Sequence, residues 1–222
     1  MDEILELANT LNQISTTSYF TTLPTTPIDG FLNSQECFIS AVDNWSRVLG
    51  TLLLYLPSDK ERAVIIENLN DEHGNGDITK SHVNTFSALL TSLGYQKTIK
   101  VYNENLPSYS AVKKFNDNLL NEIQKGDWIY SVALLGMIEY TYIEASKHIH
   151  NYLLIYLQEL QINHYSTHEV VDVRHATELF RLLEPVKDSH GLLIIKGMYT
   201  GYTLLKNLYN DLAVFLPHTT SQ

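Results

Sequence analysis

Apolar residues recur every three or four positions along most of the chain, and the strict alternation of a half-buried strand is scarce. This pattern predicts an all-α protein. All six prolines (Pro24, Pro27, Pro57, Pro107, Pro185, Pro217) fall between the apolar-periodic stretches, where a helix can stop without losing a hydrogen bond. The first expected helix covers about residues 3–14, followed by an irregular Thr/Ser/Pro stretch from Ser15 to Asp29. A second helix is expected from Ser34 to Tyr55, with Asn33 and Glu36 spaced as a capping box. A further box, Ser58 to Glu61, opens a helix ending near Glu72, where Gly74 and Gly76 stop it. Asp77 can cap the next helix, which carries His82 about one turn in and ends at Leu93-Gly94.

After a loop to Pro107, Ser108 or Ser110 starts a helix reaching about Lys125. Gly126-Asp127 then opens a long helix from Trp128 to about Leu160. Ser166 and Glu169 form a third box ahead of a helix that runs to Leu183 and is interrupted by Pro185. A last helix extends from about Ser189 to Phe215. The expected architecture is a bundle of seven or eight helices in one domain spanning residues 1–222. Residues 1–33 form an N-terminal helix and irregular segment, and residues 34–216 form the bundle, with ligand space between its helices.

The segment His168-Glu169-Val170-Val171-Asp172-Val173-Arg174-His175 changes this picture. His168, Asp172 and His175 stand at i, i+4 and i+7, within about 60° of one another on one helical face. Two imidazoles and a carboxylate on one face suit metal ligation better than core packing. A second cluster lies upstream, where Asn70-Asp71-Glu72-His73-Gly74-Asn75-Gly76-Asp77 precedes His82. The glycines let the chain turn sharply, so Glu72 and His82 can meet one centre. On the long helix, Glu139 shares the apolar face of Val132, Leu135, Gly136, Tyr142, Ile143 and Ser146. A buried carboxylate is costly unless paired or metal-bound. Glu144 lies about 140° away, beside Tyr140, Lys147, His148 and Asn151, and reads as solvated.

Three carboxylates (Glu72, Glu139, Asp172) and three histidines (His82, His168, His175) make a mixed donor set suited to non-haem iron, with manganese as the alternative. Two ions need about this many ligands, and open positions would admit dioxygen. Each group alone has a plainer reading. His82 could be a hydrogen-bonded or surface histidine, Glu139 could pair with Lys196 or Arg181, and the 168–175 face could be solvated. Their conjunction is what points to metal. His73, His148, His150, His164, His190 and His218 show no such spacing and read as ordinary. The 14 tyrosines read as helix-packing residues, with Tyr142 nearest in sequence to the candidate ligands.

Composition narrows the partners. With 15 basic and 25 acidic side chains the net charge is −10, which argues against a nucleic acid or an anionic membrane. Cys37 is the only cysteine, so neither an internal disulfide nor a thiolate zinc cage is available. The acidic start Met1-Asp2-Glu3 does not read as a signal peptide, and no apolar run approaches ~20 residues. A cytoplasmic protein is the expectation, and the sequence leaves room for a homodimer.

Asn68-Leu69-Asn70-Asp71-Glu72-His73-Gly74-Asn75-Gly76, followed by His82, resembles the N-L-x-D-E-x-G-x-G…H signature of haem-oxygenase-like non-haem iron oxidases and oxygenases. The H-x3-D-x2-H spacing of His168, Asp172 and His175 is similar to their last ligand helix. The resemblance runs from about Ser34 to Phe215. The wider group includes CADD-like, PqqC-like and TenA-like proteins. It implies a seven-helix bundle around a di-iron site, with ligands carried over at Glu72, His82, His168, Asp172 and His175, and with Glu139 as the central-helix glutamate. Relatives oxidise amines, amino acids, fatty acids or a tyrosine-derived ring. The expected function is therefore oxygen activation at iron on a small organic substrate. The alternatives are a non-catalytic binding or interaction module on the same fold, or a metal-free PqqC-like oxidase. Haem chemistry is disfavoured because no histidine precedes His73, and a thiaminase is disfavoured because Cys37 sits in no recognisable motif.

Overall fold

The computed structural model describes residues 1–95, 104, 106, 108–158 and 163–216. Among these there are ten α-helices and no strand, and eight of the helices are ten residues or longer. They are α1 (Asp2–Leu11), α2 (Ser18–Thr22), α3 (Ile28–Gln35), α4 (Phe38–Leu52), α5 (Asp59–Glu72), α6 (His82–Ser92), α7 (Tyr109–Ile123), α8 (Trp128–Leu153), α9 (Asn163–Leu183) and α10 (Lys187–Leu212). The expected features at Pro107, Leu160, Pro217 and His218 lie outside the described residues.

Helix α8 is the axis of the bundle. From Ile129 to Glu139 it is buried on every side, as its nearly continuous apolar sequence requires. Its most extensive packing is against α9 and α10. Gly136 lets α9 come close, since a methyl group there would sit 2.8 Å from the Phe180 ring and 3.3 Å from Leu179. The other wall is α4, which packs on α5, α6 and α7. The site lies where the two halves of this arrangement face each other.

Local signals set most of the helix ends. The Asp127 side chain accepts a hydrogen bond from the Tyr130 amide and starts α8, as its N-cap position requires. Ser58 caps α5 by accepting from the Lys60 amide, while its hydroxyl donates to Glu61. Gly74 and Gly76, both at positive φ, end that helix, and Pro185 interrupts the chain after Leu183.

Several expected boundaries shift. Ser15 to Asp29 is not irregular; it forms short helical turns and α2. The hydroxyls of Thr16, Thr17, Thr21, Thr25 and Thr26 bond back to carbonyls three or four residues earlier, closing single turns. The Asn33–Glu36 capping box does not form, because α3 already begins behind Pro27 and the chain breaks at Glu36-Cys37 before α4. Asp77 caps only a 3-10 turn over residues 78–80, and Ser81 caps α6 instead. His82 is thus the first residue of its helix, not one turn in. The Ser166–Glu169 box also fails, since α9 starts at Asn163 and Glu169 pairs with His150. Helix α8 stops at Leu153, short of Leu160.

Candidate metal centre

Four helices bring six chemically active side chains into one buried cluster. Glu72 closes α5, His82 opens α6, Glu139 lies midway along α8, and His168, Asp172 and His175 line one face of α9. All six are buried. The chain turn at residues 73–81 places the His82 Nδ1 atom 2.6 Å from Glu72 Oε2. The His82 ring lies edge-on to His168, with centroids 4.5 Å apart. His168 Nδ1 is 3.0 Å from both Asp172 oxygens.

The most compact group is Glu139, Asp172 and His175. One donor atom from each lies within 4.8 Å of the others. His175 Nδ1 is 3.8 Å from Glu139 Oε1 and 3.9 Å from Asp172 Oδ1, and it has no hydrogen-bond partner. A buried, orphaned nitrogen facing two carboxylates is an expensive arrangement unless something cationic completes it. Two donors each about 2.1 Å from one ion lie up to about 4.2 Å apart, so these separations fit a shared cation. The donor set of imidazole and carboxylate suits iron.

The electrostatics agree. Burial raises the Glu139 carboxyl to about 8, and the neighbouring charge of Asp172 adds to that. Burial likewise raises Asp172 to about 8, against the opposing influence of His175 and His82. With both carboxyls raised to about 8, each favours its protonated form at neutral pH, and a divalent ion would replace those protons. Burial pulls His82 down, yet the charge and hydrogen bond of Glu72 prevail and hold it at about 9. Burial, reinforced by the His82 charge, drives His168 down to about 3.

Helix α5 and its turn support the cluster. Asn68 Nδ2 and Trp45 Nε1 both donate to Glu139 Oε1, at 3.4 and 3.2 Å. Neither Lys196 nor Arg181 takes this place, and the Lys196 ammonium lies over the Tyr130 ring. Asp71 faces His175 from the other side, with Oδ2 3.0 Å from Nε2. Burial works to raise Asp71, but hydrogen bonds from His175, Asn75 and Arg174 hold it below the usual carboxylate value. Glu144 is half-exposed and 3.8 Å from His148, outside the cluster.

His164, read from sequence as ordinary, belongs to the surroundings of this centre. It is buried, with its ring 4.7 Å from His168 and 6.0 Å from His82. Its Nδ1 is 3.1 Å from the Thr85 hydroxyl, and its Nε2 has no partner. Burial keeps it well below the usual histidine value, with the charges of His168 and His82 adding to the effect. His164 stands four residues before His168, so the helical spacing that singled out the triplet also reaches back to it.

A cavity of about 60 Å³ opens onto the cluster. Its apolar wall includes Phe38, Ala41, Trp45, Phe115, Leu205 and Leu208, and Glu72, His82, Glu139 and His168 stand at its polar end. No lysine or arginine lines it among the described residues. On the outer side, a polar cleft reaches His82 and His164 past Asp77, Lys80 and Thr85.

The architecture is that of a haem-oxygenase-like helical bundle, with buried imidazoles and carboxylates gathered between its helices. The chain belongs to the family of iron-containing redox enzymes, whose profile matches residues 37–205. A search among curated proteins returns no match. The fold is similar to the crystal structure of a CADD-like protein of unknown function from Nostoc punctiforme PCC 73102. The TM-score is 0.78 with 14% identity, covering 97% of this chain and 99% of that one. No helix among the described residues is long and apolar enough to cross a membrane.

Proposed function

We propose that the protein is a non-haem iron oxidase or oxygenase that uses dioxygen to oxidise a small organic molecule held in the bundle. Glu72, His82, Glu139, His168, Asp172 and His175 would hold the iron, with two ions matching the six donors. Bound iron would supply the activation of dioxygen, which protein side chains alone cannot perform. The apolar wall of Phe38, Phe115, Leu205 and Leu208 would bind the substrate body and keep bulk water away. Trp45 and Asn68 hold Glu139 by Oε1, the oxygen that also faces His175 Nδ1. The supporting observation is the unpartnered Nδ1 of His175, buried opposite the Glu139 and Asp172 carboxyls.

Anaerobic titration of Fe(II) into metal-free protein, with iron counted after gel filtration, tests this reading. Wild type should retain up to two ions per chain, and His168→Ala and Asp172→Ala should retain fewer. Wild type without iron, or unchanged retention in both variants, would sink it. One observation favours a second reading, a binding module without metal: Glu72 with His82, and His168 with Asp172, already satisfy each other in pairs. Under that reading both alanine variants lose core stability but no iron.

A further inference from the structure

The last turn of α5 carries more than a ligand. Asn68, Asp71 and Glu72 stand at i, i+3 and i+4, so all three face α9 and the centre. Beyond them the chain folds back through Asn75, a non-glycine residue at φ 54°. There the Asn75 amide nitrogen donates to the Asn70 carbonyl at 2.9 Å, and the Asn70 side chain donates to Asn75 Oδ1 at 2.6 Å. This fold returns the Asn75 side chain to donate to Asp71 Oδ1 at 2.8 Å. The other Asp71 oxygen, Oδ2, receives Arg174 and His175 Nε2. Arg174 also reaches Glu67 at 2.9 Å, one turn earlier on α5. The Asp71 carboxylate is therefore fixed from both sides.

A carboxylate accepts and does not donate, so the His175 nitrogen facing it must carry the hydrogen. In the neutral ring, the form that can ligate a metal, that leaves Nδ1 with its lone pair, and Nδ1 is the buried atom facing Glu139 and Asp172. We infer that Asp71 is a positioning residue, fixing the ring orientation and tautomer of His175 so that Nδ1 is the donor offered to metal. This inference rests on the metal-centre reading above. A partner behind a metal-bound imidazole also makes the ring a stronger donor, and its removal typically weakens metal affinity by about 10- to 100-fold. The residues between Asn68 and Asn75 thereby gain a common role beyond Glu72: they hold two α8 and α9 donors from behind.

Two measurements on the full-length chain test it. The first is long-range ¹H–¹⁵N NMR of metal-free protein at neutral pH, which reports the tautomer of His175. The second is Co(II) affinity by chelator competition. Wild type should show the hydrogen on Nε2. Asp71→Ala should populate the Nδ1–H form and bind Co(II) about 10- to 100-fold more weakly. Asp71→Glu should restore both readouts toward wild type, which relief of a merely structural defect would not do for the tautomer. If Asp71→Ala does not fold, Asp71→Leu, close in shape and without an acceptor, carries the same expectation. An unchanged tautomer and affinity in these variants, with wild type binding Co(II), would overturn the role of Asp71. Failure of wild type itself to bind Co(II) would overturn the metal centre instead, and the tautomer of His175 would still decide the positioning.

Discussion

The Nδ1 of His82 lies 2.6 Å from Glu72 Oε2, inside the bundle and away from solvent. The pair joins the end of α5 to the start of α6, so the first charge interaction of the site also closes its bounding turn. Its free-energy contribution has a definite pH dependence. The folded His82 value, about 9, is raised above the ordinary 6.5. The associated stability is present below pH 6.5 and lost as pH rises through 9. Glu139 and Asp172, each raised to about 8, act in the same direction, since they favour the folded state while protonated. Their contribution is present below about pH 4 and lost as pH rises through 8. Metal-free protein should therefore lose denaturant stability between pH 6.5 and 9. Glu139→Gln should flatten that decline, and bound metal should reverse part of it. A metal-free protein that gains stability over this window would contradict the assignment.

The same carboxyls predict how metal affinity varies. Glu139 and Asp172, each raised to about 8, must ionise to hold an ion, so binding releases protons. Apparent Fe(II) or Co(II) affinity should climb as pH is raised from 6 to 8, by up to about tenfold per pH unit for each proton released. Competition titrations at constant ionic strength would show this slope. A flat profile would mean that the two carboxyls are already ionised.

Trp45 offers an optical report. Its indole nitrogen is 3.2 Å from Glu139 Oε1, and Trp128 is the only other tryptophan. Addition of Co(II) should quench the Trp45 emission. Trp45→Phe keeps an aromatic wall but removes the donor, so the quenching should largely vanish and affinity should fall by a few-fold. Equal quenching in the variant would place the ion away from Glu139.

The cavity can be closed without touching a donor. Ala41 borders the apolar side of a space of only about 60 Å³. Ala41→Leu should fill much of it, lowering substrate-dependent oxygen consumption by about tenfold or more while metal uptake stays unchanged. That loss corresponds to about 1.4 kcal/mol of transition-state stabilisation. Full turnover in the variant would locate substrate binding elsewhere, with the polar cleft beside Lys80 and His164 the next place to test.

His164 packs among Phe86, Tyr165, His82 and His168. His164→Ala should leave a void there and destabilise metal-free protein by about 2–4 kcal/mol, as large-to-small core changes do. Thermal melts should show a drop of several degrees. No change would mean that neighbouring rings collapse into the space.

Much of the buried cluster was legible because helical spacing is a strict geometric filter. His168, Asp172 and His175 were separable from the other histidines by their common face, and Glu139 from Glu144 by its apolar neighbours. The supporting residues were harder to see. Asn68 and Asp71 stood in plain view within the signature, but an asparagine and an aspartate near a helix end usually read as capping or solvated groups. Only the approach of α9 shows that Asp71 meets His175. His164 was missed because the spacing was followed forward from His168 and not back. The capping boxes failed for different reasons: Asn33 falls inside a helix that starts earlier, behind Pro27, while Glu169 pairs with His150, and a local motif reports neither.

The bare Cα at Gly136 acts as a gauge for the whole centre. It stands one turn before Glu139 and meets the Phe180 and Leu179 side chains about one turn beyond His175, so packing at this position sets how closely α8 and α9 approach beside those two residues. A methyl added at that spot would press on the Phe180 ring and on Leu179, and so bear on the spacing of Glu139 and His175 while leaving both in place.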